Sequence, residues 1–244
     1  MSKQVNVLGY KVDNVTMDEA LQRVEQYIQK RQPRHVVTIN PEIIMSAETN
    51  DELHRALKKA DLVVPDGSGV VWAARYTGQP LPERVAGYDL MQRMLALAAE
   101  KRYRVFLLGA APGVAKQVAL KITELYPGCT ICGTQDGYFK DDEEAALIET
   151  IAQSGADMLF CALGPPRPAE IWIQRHMSSL NVPVSMGVGG SFNVMAGIVK
   201  RAPVWMQKVN LEWLHRALSD PKRIKRLAAL PRFVMKVVRR GKKA

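Results

Sequence analysis

Asp66 is the residue best placed by its surroundings to move a proton. It follows the apolar run at 62–64 and Pro65, and it precedes Gly67. The run predicts a buried strand, and a carboxylate directly after such a strand can project into a cleft and accept a proton from a substrate hydroxyl. Aspartate before glycine is equally common in turns, where it can cap the next helix. The sequence leaves these two roles open.

Thr38 and Asn40 place polar side chains at the end of the preceding predicted strand, residues 35–39. If that strand neighbours the one that ends before Asp66, the three side chains converge on one edge of a sheet, where α/β proteins bind their ligands. They could then orient a sugar or a diphosphate. The competing interpretation is that Asn40 before Pro41 simply begins a turn.

Two glycine-rich segments, 109–113 and 187–193, each follow a predicted strand. A glycine loop that opens a helix presents backbone N–H groups to an anion. The first segment lacks the spacing of a dinucleotide fingerprint, and a tight strand-to-helix turn explains it about as well as a nucleotide does. The second has three glycines within four positions, which favours a ligand that approaches the backbone closely.

Nothing in the sequence indicates a metal centre or a disulfide framework. Cys129 and Cys132 form a single CxxC inside a predicted strand and Cys161 is remote, so buried thiols are expected. The four histidines show no metal-ligand spacing, and no Asp-x-Asp motif occurs. We therefore predict no bound metal and no other cofactor.

Short apolar or β-branched runs alternate with longer amphipathic stretches from Val5 to Ile198. This alternation predicts an α/β fold with a Rossmann-like, doubly wound, mainly parallel sheet. Thr16, with Glu19 three residues later, predicts the capped start of the first helix. The predicted strands are residues 5–8, 35–39, 62–64, 104–108, 130–133, 158–163 and 184–187.

Size and composition exclude several classes of protein. The chain has 244 residues, 47% of them hydrophobic and 24% charged, which excludes general disorder, collagen-like repeats and a polytopic membrane protein. No apolar signal segment begins the sequence, so a cytoplasmic location is expected. The longest weakly polar run, 184–199, is too short and too rich in glycine to span a bilayer, so any membrane contact is predicted to be peripheral.

All the excess positive charge lies in the last fifth of the chain. Residues 200–244 carry 14 Lys and Arg against Glu212 and Asp220, a net charge of +12, whereas residues 1–199 carry a net −2. Apolar residues alternate with the basic ones, a pattern typical of an amphipathic helix that binds an anionic lipid surface. We therefore predict a core at 1–199 and a basic helical appendage at 200–244.

Several ordered blocks carry a resemblance to a known family. They are NPE at 40–42, LVVPDGSGVV at 62–71, LPERVAGYDL at 81–90, RVFLLGAAPG at 104–113, GTQDGYF at 133–139 and the long block that begins GVGGSFNVMAG at 187. With these blocks the chain resembles the WecG/TagA/CpsF glycosyltransferase family over nearly its whole length, from about Val5 to Arg240.

The resemblance implies an inverting transferase with a Rossmann-like fold and no required metal. The implied reaction moves N-acetylmannosamine from its UDP derivative to undecaprenyl-diphosphate-linked N-acetylglucosamine, at the inner face of the plasma membrane. In Gram-positive relatives this step begins the linkage unit of wall teichoic acid. UDP derivatives of N-acetylmannosaminuronic acid or glucose are the alternative donors. An anionic membrane surface is a further implied partner, nucleic acid is not, and a homo-oligomer is left open.

The resemblance also implies roles for individual residues. Asp66 becomes the base that deprotonates the acceptor hydroxyl, and Arg84 meets a phosphate or the acceptor. The residues that would hold the sugars, their phosphates or UDP are Thr38, Asn40, Gly109, Asp136, Tyr138, Gly189, Gly190 and Asn193. The residues that would neutralise the lipid diphosphate are Arg216, Arg223 and Arg226.

Two positions depart from the family pattern. Residues 164–172 read GPPRPAEIW where Gly-x-Pro-x-Gln-Glu-x-Trp is usual, so the chain has one extra residue and lacks the glutamine. Asn193 stands where Gly-x-Phe-Asp is common, so a charged contact to the ribose is replaced by an amide that can still bind a hydroxyl.

Two other functions compete with sugar transfer. A non-catalytic nucleotide- or nucleic-acid-binding protein could also use glycine loops and a basic tail. The tail aromatics Trp205, Trp213 and Phe233 fall on predicted inner faces of helices, however, which leaves few rings to stack on bases. An NAD-linked dehydrogenase is disfavoured because residues 109–113 lack dinucleotide spacing.

Overall fold

Six parallel strands form the central sheet in a computed structural model, which describes residues 4–208, 212–219 and 228–241. These strands are β3 Arg34–Ile39, β4 Leu62–Pro65, β5 Arg104–Gly109, β6 Thr130–Gln135, β7 Met158–Ala162 and β8 Val184–Gly187. Their order across the sheet is β4-β3-β8-β7-β5-β6. A separate antiparallel hairpin consists of β1 Gln4–Val7 and β2 Tyr10–Asp13.

Helices cover both faces of the sheet. Those before β8 are α1 Met17–Lys30, α2 Pro41–Ala47, α3 Asp51–Lys59, α4 Ser68–Tyr76, α5 Gly87–Lys101, α6 Val114–Leu125, α7 Glu144–Gln153 and α8 Ala169–Leu180. Those after it are α9 Ser191–Met195, α10 Val204–Lys208, α11 Glu212–Ser219 and α12 Ala229–Gly241. The first face carries α1, α5, α6 and α9, and the second carries α2, α3, α4, α7 and α8. The predicted α/β fold with a parallel sheet is therefore confirmed.

The predicted strands match the observed ones to within about two residues. The match is clearest for β4, β7 and β8, which are short apolar runs buried on both faces of the sheet. The second strand of the hairpin, β2, was not predicted. Between β3 and β4, Asn50 separates the helices α2 and α3. Its side chain accepts a hydrogen bond from the Leu53 N–H at 3.0 Å and so caps α3.

The hairpin protects an edge of the sheet. The β2 strand lies beside β4, and the buried Asp13 carboxylate accepts a hydrogen bond from the Val63 N–H at 2.9 Å. An unprotected edge strand is a template for aggregation, so this contact has a clear physical role. The predicted cap of α1 is also present, because the Thr16 hydroxyl accepts from the Glu19 N–H at 3.2 Å.

The last helix packs back onto the core. The α12 helix contacts α2 and α4, and it buries Phe233 and Val237 among their apolar residues. Phe233 is fully buried, so this contact stabilises the fold by roughly 1.5–3 kcal/mol. The division into a core and an appendage stays a prediction. Within the described residues, no helix is both long enough and apolar enough to cross a bilayer.

His35 gives the fold a testable dependence on pH. It is fully buried in β3, and this burial lowers the pKa of its imidazole from 6.5 to about 4. Between these two values the unfolded chain binds a proton that the folded chain does not, so stability falls as the pH falls. The loss is on the order of 3 kcal/mol by pH 4. We expect urea unfolding of His35→Leu to lose this part of the pH dependence. Identical pH slopes for the variant and wild type would contradict it.

Candidate active site

Asp66, Thr38 and Asn40 lie at the same edge of the sheet because β3 and β4 are parallel neighbours. Ile39 is opposite Pro65 in the register, and the Asp66 N–H donates to the Ile39 carbonyl at 2.8 Å. The two strands are therefore neighbours, as the predicted convergence of these three residues requires. The carboxyl end of a parallel strand is where α/β proteins bind ligands.

Asp66 points its carboxylate into a partly open space. Its side chain is 23% exposed, and its Oδ1 lies 3.7 Å from Nη2 of Arg84. The alternative role in capping is not observed, because the N-cap of α4 is Gly67 and no side chain caps that helix. Gly67 has a φ of +92°, which a residue with a Cβ rarely adopts, so the turn that exposes the carboxylate requires glycine here.

Arg84 is held beside Asp66 from two sides. The next residue along the chain, Val85, donates its N–H to the Pro65 carbonyl at 2.9 Å, which ties the loop to the end of β4. The guanidinium then donates from Nη2 to Oε2 of Glu212 at 3.0 Å. Its Nε is buried and has no hydrogen-bond partner within the described part of the chain, so it keeps a donor for a ligand.

Glu212 belongs to the site although sequence reasoning assigned it no role. It is only 4% exposed at the start of α11, and its Oε1 lies 3.4 Å from Nε of Arg201. Arg201 in turn pairs with Asp89 at 2.7 Å and lies over the Tyr88 ring. The signal that could have revealed Glu212 is that it is one of two acidic residues in a strongly basic segment.

Thr38 and Asn40 each make a structural contact at this edge of the sheet. The Asn40 side chain accepts from the Ile43 N–H at 3.0 Å and caps α2. Thr38 packs against the first residue of α5, because a Cβ on Gly87 would lie 3.0 Å from the Thr38 hydroxyl oxygen. Both residues are only half-buried, so each remains partly exposed at the edge that carries Asp66.

The loop after β8 is the next part of this edge, since β8 is the other neighbour of β3. Gly189 has a φ of +49° and open space where a Cβ would lie, so its backbone is accessible. Gly190 is the N-cap of α9. The backbone carbonyl of Asn193 accepts from Ile198 and Val199, which closes the turn after that helix. This loop lies about 10 Å from the end of β4, two strand spacings away.

Gly109, Asp136 and Tyr138 lie at the far end of the edge. A Cβ on Gly109 would lie 2.5 Å from the Ala162 carbonyl carbon, so this glycine is needed for packing. Asp136 accepts from the Tyr138 N–H at 2.9 Å, and the Tyr138 ring is 74% exposed. A small cavity of about 190 Å³ includes Gly113 and Asp136 in its lining. The ends of β5 and β6 are about 19 and 24 Å from the end of β4, so these residues are not brought together with Asp66.

The segment that departs from the family pattern lies between the two groups, after β7. Glu170 lies against Gly187, where a Cβ would be 2.8 Å from Oε1, and burial raises the pKa of its carboxyl. The Arg167 guanidinium lies over the Phe139 ring and donates to the Phe139 carbonyl at 3.0 Å. Trp172 donates its indole N–H to Glu144 at 2.8 Å.

The three arginines predicted to bind the lipid diphosphate stay a prediction. Arg223 and Arg226 lie outside the described residues, and Arg216 is on α11. Trp205 and Trp213 were expected on inner helix faces, but they are 63% and 41% exposed, whereas Phe233 is buried. Across the described ranges, no three His, Cys, Asp or Glu side chains form a group that could hold a metal ion.

Comparison with known proteins identifies the family of the chain. Residues 5–244 match the model of the glycosyl transferase WecG/TagA/CpsF family. A Bacillus spizizenii protein is 37% identical across 98% of this chain and 91% of its own length, and one from Bacillus subtilis is 38% identical across 89% and 84%. A Staphylococcus aureus protein is 35% identical across 98% and 94%. All three are called N-acetylglucosaminyldiphosphoundecaprenol N-acetyl-beta-D-mannosaminyltransferase. The chain belongs to the WecG/TagA/CpsF family of glycosyltransferases.

Proposed function

We propose that this protein transfers N-acetylmannosamine from UDP-N-acetylmannosamine to undecaprenyl-diphosphate-linked N-acetylglucosamine, with inversion at the anomeric carbon. The names of its relatives supply the sugar and the acceptor. The observation that carries the proposal is the partly exposed Asp66 carboxylate at the end of β4, beside the Arg84 guanidinium. A base and a cation at one open edge suit the transfer of a sugar between a hydroxyl and a diphosphate.

The proposed reaction is a single displacement. Asp66 accepts the proton of the acceptor hydroxyl as that oxygen bonds to the anomeric carbon. The bond from this carbon to the UDP oxygen breaks, and its electron pair leaves with UDP. Attack and departure on opposite faces of the sugar give inversion. The growing charge on UDP is stabilised by backbone N–H groups of the glycine loops and by arginine side chains, the type of preorganised donor that contributes most in such reactions.

The donor would lie along the sheet edge with its uridine toward Gly109, Asp136 and Tyr138. Support for this orientation comes from the small cavity beside Asp136 and from the open backbone at Gly189, which lies between that end and Asp66. The diphosphate would then lie near Gly189 and Gly190, and the sugar would reach the carboxylate. In this orientation the β5 and β6 end of the edge binds the uridine, and the β4 end binds the sugar.

The same proposal includes peripheral binding to the inner face of an anionic membrane. The outward side of α12 exposes Val234 and Met235 at 42% and 51%, beside the exposed Arg232, Arg239 and Arg240. The neighbouring α4 carries a stacked pair, Trp72 and Tyr76, which is also exposed. Aromatic rings, apolar side chains and cations together are what a helix needs at a lipid surface.

A donor panel tests the function. Purified protein is incubated with a short-chain lipid-diphosphate N-acetylglucosamine and each UDP-sugar in turn, with and without chelator. We expect one product with UDP-N-acetylmannosamine, one UDP released per transfer, inverted stereochemistry and no loss with chelator. Preference for the uronic acid or glucose donor would correct the substrate. Lack of transfer from every donor would reject the proposal.

A further inference from the structure

The strongest feature that the proposed chemistry leaves unexplained is the buried carboxylate of Glu212. It lies between two guanidinium groups, 3.0 Å from Arg84 and 3.4 Å from Arg201. Its side chain is 5% exposed, and a carboxylate that is withdrawn from water in this way needs such partners. The Arg84 partner is the same guanidinium that faces Asp66. Glu212 is therefore one contact away from the proposed base.

We propose that Glu212 is a positioning residue that holds Arg84 in its working place beside Asp66. This inference rests on the proposed function. Arg84 lies between two carboxylates, and the shorter contact is to Glu212 at 3.0 Å, against 3.7 Å to Asp66. The guanidinium is therefore anchored on Glu212 and not on the proposed base. Without that anchor, Arg84 closes onto Asp66 and occupies an oxygen that the acceptor hydroxyl needs.

The far side of Glu212 fixes its own position. Arg201 reaches Glu212 while it also binds the Asp89 carboxylate of α5, through a hydrogen bond of 2.9 Å and an ion-pair contact of 2.7 Å. Its guanidinium lies 4.7 Å from the centre of the Tyr88 ring. Ion pairs in such a network restrain each other more than an isolated surface pair does. The start of α11 is thereby fixed to the core, and α11 contributes to the geometry around Asp66.

The test separates positioning from simple attachment of the C-terminal helices. Glu212→Gln keeps the shape of the side chain but removes its charge. The matched control is Glu48→Gln, which removes a second ion pair between the C-terminal helices and the core, that of Glu48 with Lys236 of α12. Glu48 is not part of the site around Asp66. Both variants are assayed with a short-chain acceptor, so that membrane binding does not limit the rate.

We expect Glu212→Gln to lower kcat at least about 10-fold with less than about a 3-fold change in KM for the UDP-sugar, since the lost contact acts on the chemical step. Glu48→Gln should keep kcat within about 2-fold of wild type. If both variants lose kcat equally, or if Glu212→Gln matches wild type, the inference is wrong. A higher kcat or a lower KM would also overturn it, because the carboxylate would then compete with substrate for the arginines.

Two further measurements separate an effect on catalysis from a loss of folding and from a failure of the proposed function. If Glu212→Gln lowers the Tm by more than about 4 °C, Glu212→Asp replaces it, because it retains the charge but shortens the reach to Arg84. A kcat at least about 3-fold below wild type then supports positioning, and an unchanged kcat refutes it. Asp66→Asn is assayed in parallel. Full activity of Glu212→Gln beside an inactive Asp66→Asn rejects only this inference, whereas an inactive wild type rejects the proposed function.

Discussion

Asp66→Asn is expected to lower kcat for sugar transfer at least about 100-fold while the protein stays folded, because general-base catalysis contributes on this scale. The amide has the shape of the carboxylate but cannot take up the proton of the acceptor hydroxyl. Its effect on stability should be small, since the amide keeps the shape of the carboxylate and the side chain is 23% exposed. Steady-state kinetics with the short-chain acceptor measures the loss, and thermal unfolding confirms the fold.

The control for this prediction is Asp51→Asn, the same chemical change at an exposed position in the first turn of α3. It should leave kcat within about 2-fold of wild type, as surface substitutions away from a site usually do. Transfer by Asp66→Asn at close to the wild-type rate would remove Asp66 from the mechanism. The carboxylate would then be only a partner of Arg84.

The second large effect is expected from the basic side of α12. Replacing Arg232, Arg239 and Arg240 by glutamine should weaken binding to anionic vesicles about 100-fold, because each basic residue near such a surface contributes about 1 kcal/mol. All three side chains are exposed, so the substitutions remove charge without opening the core. Point substitutions are preferable to deleting the last helices, because deletion would also remove the buried Phe233. Co-sedimentation with vesicles of defined composition gives the affinity.

The matched control removes three positive charges elsewhere. Arg55, Lys58 and Lys59 are exposed on α3, which leads into the start of β4, so the end of this helix lies at the opposite edge of the sheet from Asp66. Their replacement by glutamine should change vesicle binding by less than about 3-fold. Equal loss in both triple variants would show that total charge, and not the α12 surface, controls membrane binding. Raising the salt concentration should weaken wild-type binding, because exposed charges are screened beyond about 8 Å.

Part of the site could be predicted because the signals are local. Asp66 follows a buried apolar strand directly, and Asn40 stands before Pro41 at the end of the strand before it. Such a position in sequence fixes the place of a residue at the carboxyl edge of a parallel sheet. The residue types at these strand ends therefore allowed a candidate base and a candidate polar contact to be predicted from the sequence.

Glu212 could not be placed in this way. It is 128 residues from Arg84 in the sequence, and neither residue type nor spacing shows that they meet. The hairpin strand β2 was missed for another reason, since its residues, YKVD, alternate apolar and charged side chains and form no apolar run. The exposure of Trp205 was also unexpected, because a short helix with mixed spacing does not reveal which face its neighbours cover.

The sequence by itself determined the α/β class, the strands of the central sheet with their carboxyl ends, and the charge of the C-terminal segment, because each depends on residues close together in the chain. Only the tertiary structure decided that β3 lies between β4 and β8, and that α11 brings a buried carboxylate to the guanidinium beside Asp66. Such contacts arise when packing buries distant segments together. Their strength comes from exclusion of water, which no local pattern of residues encodes.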